Sequence, residues 1–312
     1  MTSPTISIIT PCLNRVQLVG AAVESVLEQD YPALEHIVMD GGSTDGTLDL
    51  LRKYPRLRLV SEPDKGMYDA INKGIRLASG GIIGLLNTDD LYTPGALKSV
   101  AEAFEQHPEA QAVVGGVTKF VEDETGLHVL DTIPAIESRE FWFRVIQGHP
   151  VTNAWFFRRE VFERLGGFDV RMRWSADRYF LIRIALDGGV RPVPIRRVLY
   201  QYRQHSGSVT ITTLDSRDPR YGPLRIEILQ EDIFALDEFL RRRDLPGEVR
   251  RRLHREHSER CYRLSATAVY HRLWHSAAQA ASRGWRRDPF WPLIFVEMAA
   301  RRLVKELSGR DE

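Results

Sequence analysis

Cysteine is nearly absent from this chain. Its 312 residues contain only Cys12 and Cys261, too few and too far apart for a disulfide framework, which points to a reducing compartment. Long apolar runs are missing as well, and no window reaches the ~18 apolar residues that a transmembrane helix requires. No basic n-region opens the chain, so no signal peptide is expected and the location reads as cytoplasmic. No G-x-G-x-x-G follows the first strand-like run, and Gly41–Thr47 contains no lysine. A dinucleotide-binding fingerprint and a phosphate-cradling P-loop are thereby excluded. An excess of one charge is lacking too, with 43 Lys+Arg against 42 Asp+Glu. That balance conceals a division: residues 241–312 carry 17 basic and 9 acidic side chains, the first 240 carry 26 and 33. An acidic body thus bears a basic tail. With 43% hydrophobic and 27% charged residues, the composition is that of an ordinary globular protein, long enough for one large core or two smaller ones.

What is present is an alternation. Strands are expected at Thr5–Thr10, His36–Met39, Leu57–Val60, Ile82–Leu86 and Ala112–Val117. Between them, apolar residues recur at helical spacing, as in Val16, Val19, Val23, Val26 and Leu27, or Met67, Ala70, Ile71, Gly74, Ile75 and Ala78. Strand–helix alternation predicts an α/β fold with a mostly parallel, doubly wound sheet, whose ligands bind outside the carboxyl ends of the strands. Polar clusters stand at four of those ends: Pro11 to Arg15, Asp40 to Asp45, Glu62 to Gly66, and Asn87 to Asp90.

The last cluster is the most telling. A buried aliphatic strand stops at Asn87-Thr88-Asp89-Asp90, and Thr93-Pro94 reads as the N-cap and first turn of the next helix. Adjacent carboxylates at a strand end suit a magnesium or manganese ion; alternatively they cap the helix. Asp40 can accept a hydrogen bond from an imide N–H such as uracil offers. Lys73, one turn after Asp69, is either a counter-charge for a diphosphate or a solvated surface lysine. Asn14 reads as the N-cap of the first helix.

Taken in order, Thr10-Pro11-x-x-Asn14, Val38-Met39-Asp40-Gly41-Gly42-Ser43-Thr44-Asp45-Gly46-Thr47, Glu62-Pro63-Asp64-x-Gly66, Asn72-Lys73-Gly74 and Asn87-x-Asp89-Asp90 resemble the family 2 glycosyltransferases of the GT-A fold, over roughly residues 5–210. The resemblance implies an inverting, metal-dependent enzyme of hexosyl or N-acetylhexosaminyl type that uses Mn2+ or Mg2+ and a nucleotide-diphosphate sugar, UDP-sugar favoured. By it, Pro11, Asn14, Arg15, Asp40, Gly41, Gly42, Asp64, Lys65, Lys73, Asn87 and Asp89 line the donor site. Asp89 would touch the ribose and Asp90 the metal, with Asn87 standing where the family's D-x-D motif has its first aspartate. Gly166-Gly167-Phe168-Asp169 followed by Asp177 resembles the segment carrying the general base. The usual Glu-Asp pair is Ala176-Asp177 here, which leaves Asp177 as the base; an ordinary helix N-cap is the other reading. Arg203-x-His205-x-x-Ser208 resembles the loop that closes over the donor, with His205 near metal or diphosphate. Thr152-Asn153 stands where many relatives have His-Gln. His149, Trp155 and Trp174 are candidates for an acceptor or sugar pocket.

A catalytic domain is expected over 1–222 and a helical, basic extension over 223–312. His271 and His275 lack the third ligand of a zinc site and read as surface histidines. Trp285-Arg286-Arg287, Phe290–Val296 and Arg301-Arg302 suit the surface of an anionic membrane, or else packing against the body or a second copy as a homodimer. Nucleic acid is not expected as a partner. A glycan or lipid-linked acceptor in polysaccharide or glycolipid assembly, at the cytoplasmic face of a membrane, fits that tail. A non-catalytic nucleotide-sugar-binding or scaffold protein is the rival reading. A sugar-nucleotide pyrophosphorylase would want a Gly/Arg-rich loop after the first strand, which Pro11–Arg15 does not supply.

Overall fold

The computed structural model describes residues 4–137, 141–147, 151–187, 190–205, 207–208, 221–287, 291–293 and 296–297. Its Cα packing divides the chain into two compact units, Met1–His205 and Ser206–Glu312.

The first unit is built on one mixed sheet. Strand β1 (Ile6–Cys12) is buried along its whole length. It lies parallel to β2 (Leu34–Asp40) on one side and β4 (Ile82–Leu85) on the other, with β3 (Leu57–Ser61) beyond β2. A strand covered on both faces cannot alternate polar and apolar residues, which is why β1 and β4 read as nearly continuous aliphatic runs. Helix α1 (Val19–Leu27) follows β1, the short α2 (Thr47–Leu51) follows β2, and α3 (Met67–Leu77) follows β3. Gly74 has a packing reason: a Cβ there would lie 2.5 Å from Ile9 Cγ2 and 3.2 Å from Met39 Cγ. Only glycine lets α3 seat this close to the sheet.

Beyond β4 the sheet becomes mixed. Strand β5 (Leu91–Tyr92) precedes α4 (Ala96–Gln106), β6 (Ala112–Asp123) turns into β7 (Gly126–Ile133), and α5 (Phe141–Gln147) follows. Strand β8 (Trp155–Arg158), α6 (Arg159–Leu165), α7 (Ala176–Asp187) and β9 (Pro192–Arg203) complete the unit. The order across the sheet is β3-β2-β1-β4-β8-β6-β9-β5, with β7 added alongside β6. Strand β8 runs antiparallel to both β4 and β6, whereas β6 and β9 are parallel. The fold class stands as expected, with the helical neighbours and the parallel half β3-β2-β1-β4 in place.

Two local expectations need correction. Thr93-Pro94 does not open a helix: Gly95, at φ 72°, is the N-cap of α4, and Thr93 Oγ1 donates instead to Val198 O on β9 (2.8 Å). The acid pair therefore precedes a strand and caps nothing. Asn14 does not cap α1, which begins at Val19 behind Leu18. Trp155-Phe156-Phe157 forms strand β8, which runs directly into α6; its three aromatic rings are fully buried, and a run of that kind suits a central strand position.

The second unit contains α8 (Gly222–Leu240), α9 (Gly247–Tyr270) and α10 (Trp274–Arg287). Its apolar core includes Ile226, Leu229, Ile233, Cys261, Leu264, Ala268, Ala277 and Ala280. A buried ion pair holds α8 to α9: Arg260 donates to Asp232 (3.0 Å), and within α9 Glu256 pairs with Arg260 (3.2 Å) and Arg252 (2.9 Å). Among the described residues no helix is long and apolar enough to cross a membrane.

Candidate functional site

The carboxyl ends of β1, β2, β3 and β4 come to one edge, because Cys12 is in register with Asp40 and Asp40 with Ser61. Asp40 is buried there, and its own surroundings use its oxygens. Gly42 N (3.0 Å), Ser43 N (3.0 Å) and Ser61 Oγ (2.7 Å) donate to one oxygen, and Ser43 Oγ to the other. Burial alone would raise its pKa, but the bonds from Ser43 and Ser61 and from the Ser43 and Gly42 amides hold it below the ordinary value. Gly42 is at φ 95°, a left-handed conformation that lets the backbone fold over the carboxylate.

The remaining polar residues of the two loops lace them together. Asn14, at φ 53°, accepts from Thr44 N (2.9 Å) through its side chain, and its own N–H donates to Ser43 Oγ (2.7 Å). Arg15 N donates to Thr47 Oγ1 (2.9 Å), and Val16 N to Asp45 (3.1 Å). This work of loop closure explains Asn14, Ser43, Thr44, Asp45 and Thr47. The side chains of Asn14 and Arg15 remain exposed, and Pro11 is buried.

The next strand end leans onto the same loops. A Cβ on Gly41 would lie 2.5 Å from Asp64 Oδ2, so Asp64 needs the glycine opposite it; it also accepts from Gly66 N (2.8 Å). Lys73 reaches back to this turn, donating to Pro63 O (2.7 Å) and pairing with Glu62 (2.9 Å). Lys65 is exposed, its N–H bound to Asp69 (3.0 Å). Asn72, whose role the sequence did not reveal, faces the other way. Its Oδ1 accepts from Phe168 N (2.8 Å) and its Nδ2 donates to Phe168 O (2.8 Å), pinning the Gly166–Asp169 turn to α3. Tyr68 adds a bond to Trp174 O (3.1 Å) and stacks on Phe168.

At the acid pair the two carboxylates part company. Asp90 is 1% exposed. It accepts from Tyr200 OH (2.5 Å), Arg203 N (2.8 Å) and Asn87 Nδ2 (3.3 Å). Burial and the neighbouring Asp89 push its pKa up to about 8, against those three bonds. The oxygens of Asp90, expected to hold the metal, point into the protein toward Tyr200, Arg203 and Asn87. Asp89 is the accessible member, and its Oδ2 lies 3.2 Å from His205 Nε2, both side chains being about a quarter exposed. Arg203 clamps the arrangement, bonding Asp89 O through Nε (2.9 Å), pairing with Glu122 and covering the Phe120 ring.

Asp177 lies in the first turn of α7, its Oδ2 accepting from Thr152 Oγ1 (3.1 Å) and its Oδ1 from Arg178 N (2.7 Å). The adjacent Asn153 donates to Tyr200 OH (2.9 Å). The single turn Thr152–Ala154 thereby ties Asp177 to the Tyr200–Asp90 pair. Trp155, proposed for an acceptor pocket, is instead fully buried between Phe141 and Phe157 and has no surface to offer a ligand. Trp174 is half-buried with the Arg173 guanidinium 4.6 Å over its ring. His149 lies outside the described residues. Sequence reasoning missed Tyr200 and Glu122 as members of the site; Arg203 carried a signal through its pattern with His205, and Thr152-Asn153 through standing where many relatives have His-Gln.

Divalent-metal chemistry is tested by the donors present. Among the described residues no three His, Cys, Asp or Glu side chains converge to hold a metal unaided. Asp89 and His205 offer a carboxylate oxygen and an imidazole nitrogen side by side, a mixed pair that suits manganese or magnesium when a diphosphate completes the shell. The residues fit the group.

Comparison with known proteins agrees with this architecture. A PGL/p-HBAD biosynthesis glycosyltransferase of Mycobacterium bovis is 32% identical over 189 residues, covering 59% of this chain and 70% of its own length. Among solved structures, the mannosyltransferase PcManGT from Pyrobaculum calidifontis, in complex with GDP-Man and Mn2+, superposes with a TM-score of 0.57 at 21% identity, over 99% of this chain and 89% of that one. S. aureus TarS 1–349 in complex with UDP-GlcNAc superposes at 0.54 and 17% identity, over 93% of this chain and 92% of that one. These likenesses show the GT-A fold. The family model described as Glycosyl transferase family 2 matches residues 7–166. With those residues on the sheet whose strand ends carry Asp40, Asp64 and Asp89, the chain belongs to glycosyl transferase family 2.

Proposed function

We propose that the enzyme transfers a hexosyl or N-acetylhexosaminyl group from a nucleotide-diphosphate sugar to a hydroxyl of a glycan or lipid-linked acceptor, with inversion at the anomeric carbon. The observation that carries this reading is the Thr152-Asn153 turn. Its two side chains bond Asp177 on one side and Tyr200 on the other, joining the base candidate to the Asp89–Asp90 pair within one hydrogen-bonded network. A scaffold protein has no chemical use for that link.

In the proposed displacement Asp177 takes the proton of the acceptor hydroxyl as its oxygen forms a bond to the anomeric carbon. The bond from that carbon to the diphosphate oxygen breaks, and the leaving nucleoside diphosphate keeps the electron pair. Thr152 and the Arg178 amide hold the Asp177 carboxylate in one orientation, so that little reorganisation is needed as the proton moves. Asp89 and His205 would hold a divalent cation, which when bound neutralises the charge that builds on the leaving diphosphate. The donor base is proposed as uracil, read by the loop that Asp40 closes. A uracil imide would replace one of the serine hydroxyls on that carboxylate, at little net change in hydrogen bonding.

Asp177→Asn is expected to keep nucleotide affinity and abolish transfer; equal transfer by both proteins rejects the base assignment. A thermal-shift panel of UDP, GDP and dTDP with manganese tests the donor, and a shift larger for GDP or dTDP than for UDP overturns uracil. Full turnover in excess chelator would overturn the metal requirement. Proton NMR of the product's anomeric centre decides inversion.

A further inference from the structure

The helical unit presents a surface that the catalytic reading leaves unused. Helix α10 buries Ala277, Ala280 and Gly284, a face of small residues. Its two tryptophans are elsewhere: Trp274 is 63% and Trp285 62% exposed. Eleven residues apart on a helix, they project within about 20° of one another and about 16 Å apart along the axis, with Ala278 between them on the same line. Tyr270 and Leu273 extend this exposed apolar line at one end of the helix.

The chain segment that bears the stripe is basic, although Arg260, Arg263 and Arg287 are paired with acidic residues. Residues 260–287 contain six arginines and no aspartate or glutamate. Arg272, Arg283 and Arg286 are exposed. Two residues that the sequence assigns to the same surface are otherwise engaged: Trp291 is buried and donates its indole N–H to Ser258 O (3.2 Å), and the half-buried Arg287 pairs with Asp237 (2.8 Å). Trp291 is thereby removed from the candidate surface, and Trp274 and Trp285 carry it on α10. Aromatic rings at both ends of a helix, flanked by arginines and with no acidic residue on it, complement an anionic, amphipathic partner. A second copy of this chain would bring the same arginines face to face, and like charges oppose that pairing.

We propose that the Trp274–Trp285 face of α10 docks on an anionic lipid bilayer, the indoles seated at headgroup depth and Arg272 and Arg286 against lipid phosphates. The inference stands independently of the donor and acceptor assignments.

The full chain is mixed with sucrose-loaded vesicles of phosphatidylcholine alone or of phosphatidylcholine with phosphatidylglycerol, and sedimented. Binding to the phosphatidylglycerol vesicles, about tenfold weaker for Trp274→Ser/Trp285→Ser and falling with added salt, is the expected result. Both tryptophans are exposed, so the double variant should keep its circular dichroism and melting temperature. A second variant, Arg272→Glu/Arg286→Glu, should lose binding to the same vesicles without losing either indole. Equal binding to both vesicle types, no binding to either, or binding untouched by both variants overturns the proposal. So does a concentration-dependent dimer that Trp274→Ser/Trp285→Ser dissolves.

Discussion

Asp89 and Asp90 are chemically identical neighbours with opposite environments. Tyr200 and the Arg203 amide, both from β9, turn Asp90 inward, while Asp89 faces His205. Burial holds Asp90 toward its protonated form, which an asparagine imitates in shape and charge. Asp90→Asn should therefore keep the divalent-cation half-saturation within about threefold, whereas Asp89→Asn or His205→Ala raises it by about tenfold or more, the loss of one charge-assisted bond. Isothermal titration with manganese and nucleoside diphosphate distinguishes the pair; the reverse ranking would return the ligand role to Asp90. Thr152→Val tests the next contact. Removing its bond to Asp177 should lower kcat by about five- to tenfold and leave nucleotide affinity unchanged.

At the scale of elements, α3 works on both its sides. Gly74 lets it lie on β1 and β2, Lys73 braces the Glu62–Gly66 turn, and Asn72 pins the turn at Phe168. The Asn-Lys-Gly triplet was legible as a motif, and Lys73 drew attention for its charge. The tertiary structure gives the reason for all three residues: the partners of Asn72 and Gly74 lie far along the chain, and those of Lys73 on the turn before α3. Asn72→Ala removes two hydrogen bonds to one backbone unit and should cost about 1–3 kcal/mol in urea unfolding. It should also depress kcat more than nucleotide affinity, because the segment it anchors leads into Asp177. Strand β8 was missed for a related reason. A short aromatic run suits strand or helix equally, and only the gap between β4 and β6 makes it a strand.

For the whole molecule, one buried histidine ties stability to pH. His36 is enclosed in the core with Nε2 3.0 Å from Thr10 Oγ1, and burial lowers its pKa to about 3 from the ordinary 6.5. The unfolded chain therefore takes up a proton between those values that the folded chain refuses. Stability rises with pH across that window and is lost on acidification, by up to about 1.4 kcal/mol per pH unit. Urea titrations at a series of pH values should show this slope in the wild type and a flatter one in His36→Gln. An unchanged slope would assign acid sensitivity to other groups. The division of charge between body and tail was plain from the sequence and needs no fold to be read.

The sequence alone determined the α/β class, the order of the strand ends and the family, because burial on both faces and glycine-rich turns leave local patterns that survive without neighbours. It also singled out Asp177, His205 and the acid pair as residues worth placing. What the tertiary structure decided is which of two adjacent aspartates faces out, that Trp155 is core, and which tryptophans of the tail remain exposed. Each of those depends on partners distant in sequence, Tyr200 for Asp90, Phe141 for Trp155 and Ser258 for Trp291. A local pattern fixes which way a strand or helix can face; the partner that closes over a given side chain is chosen only when the chain packs.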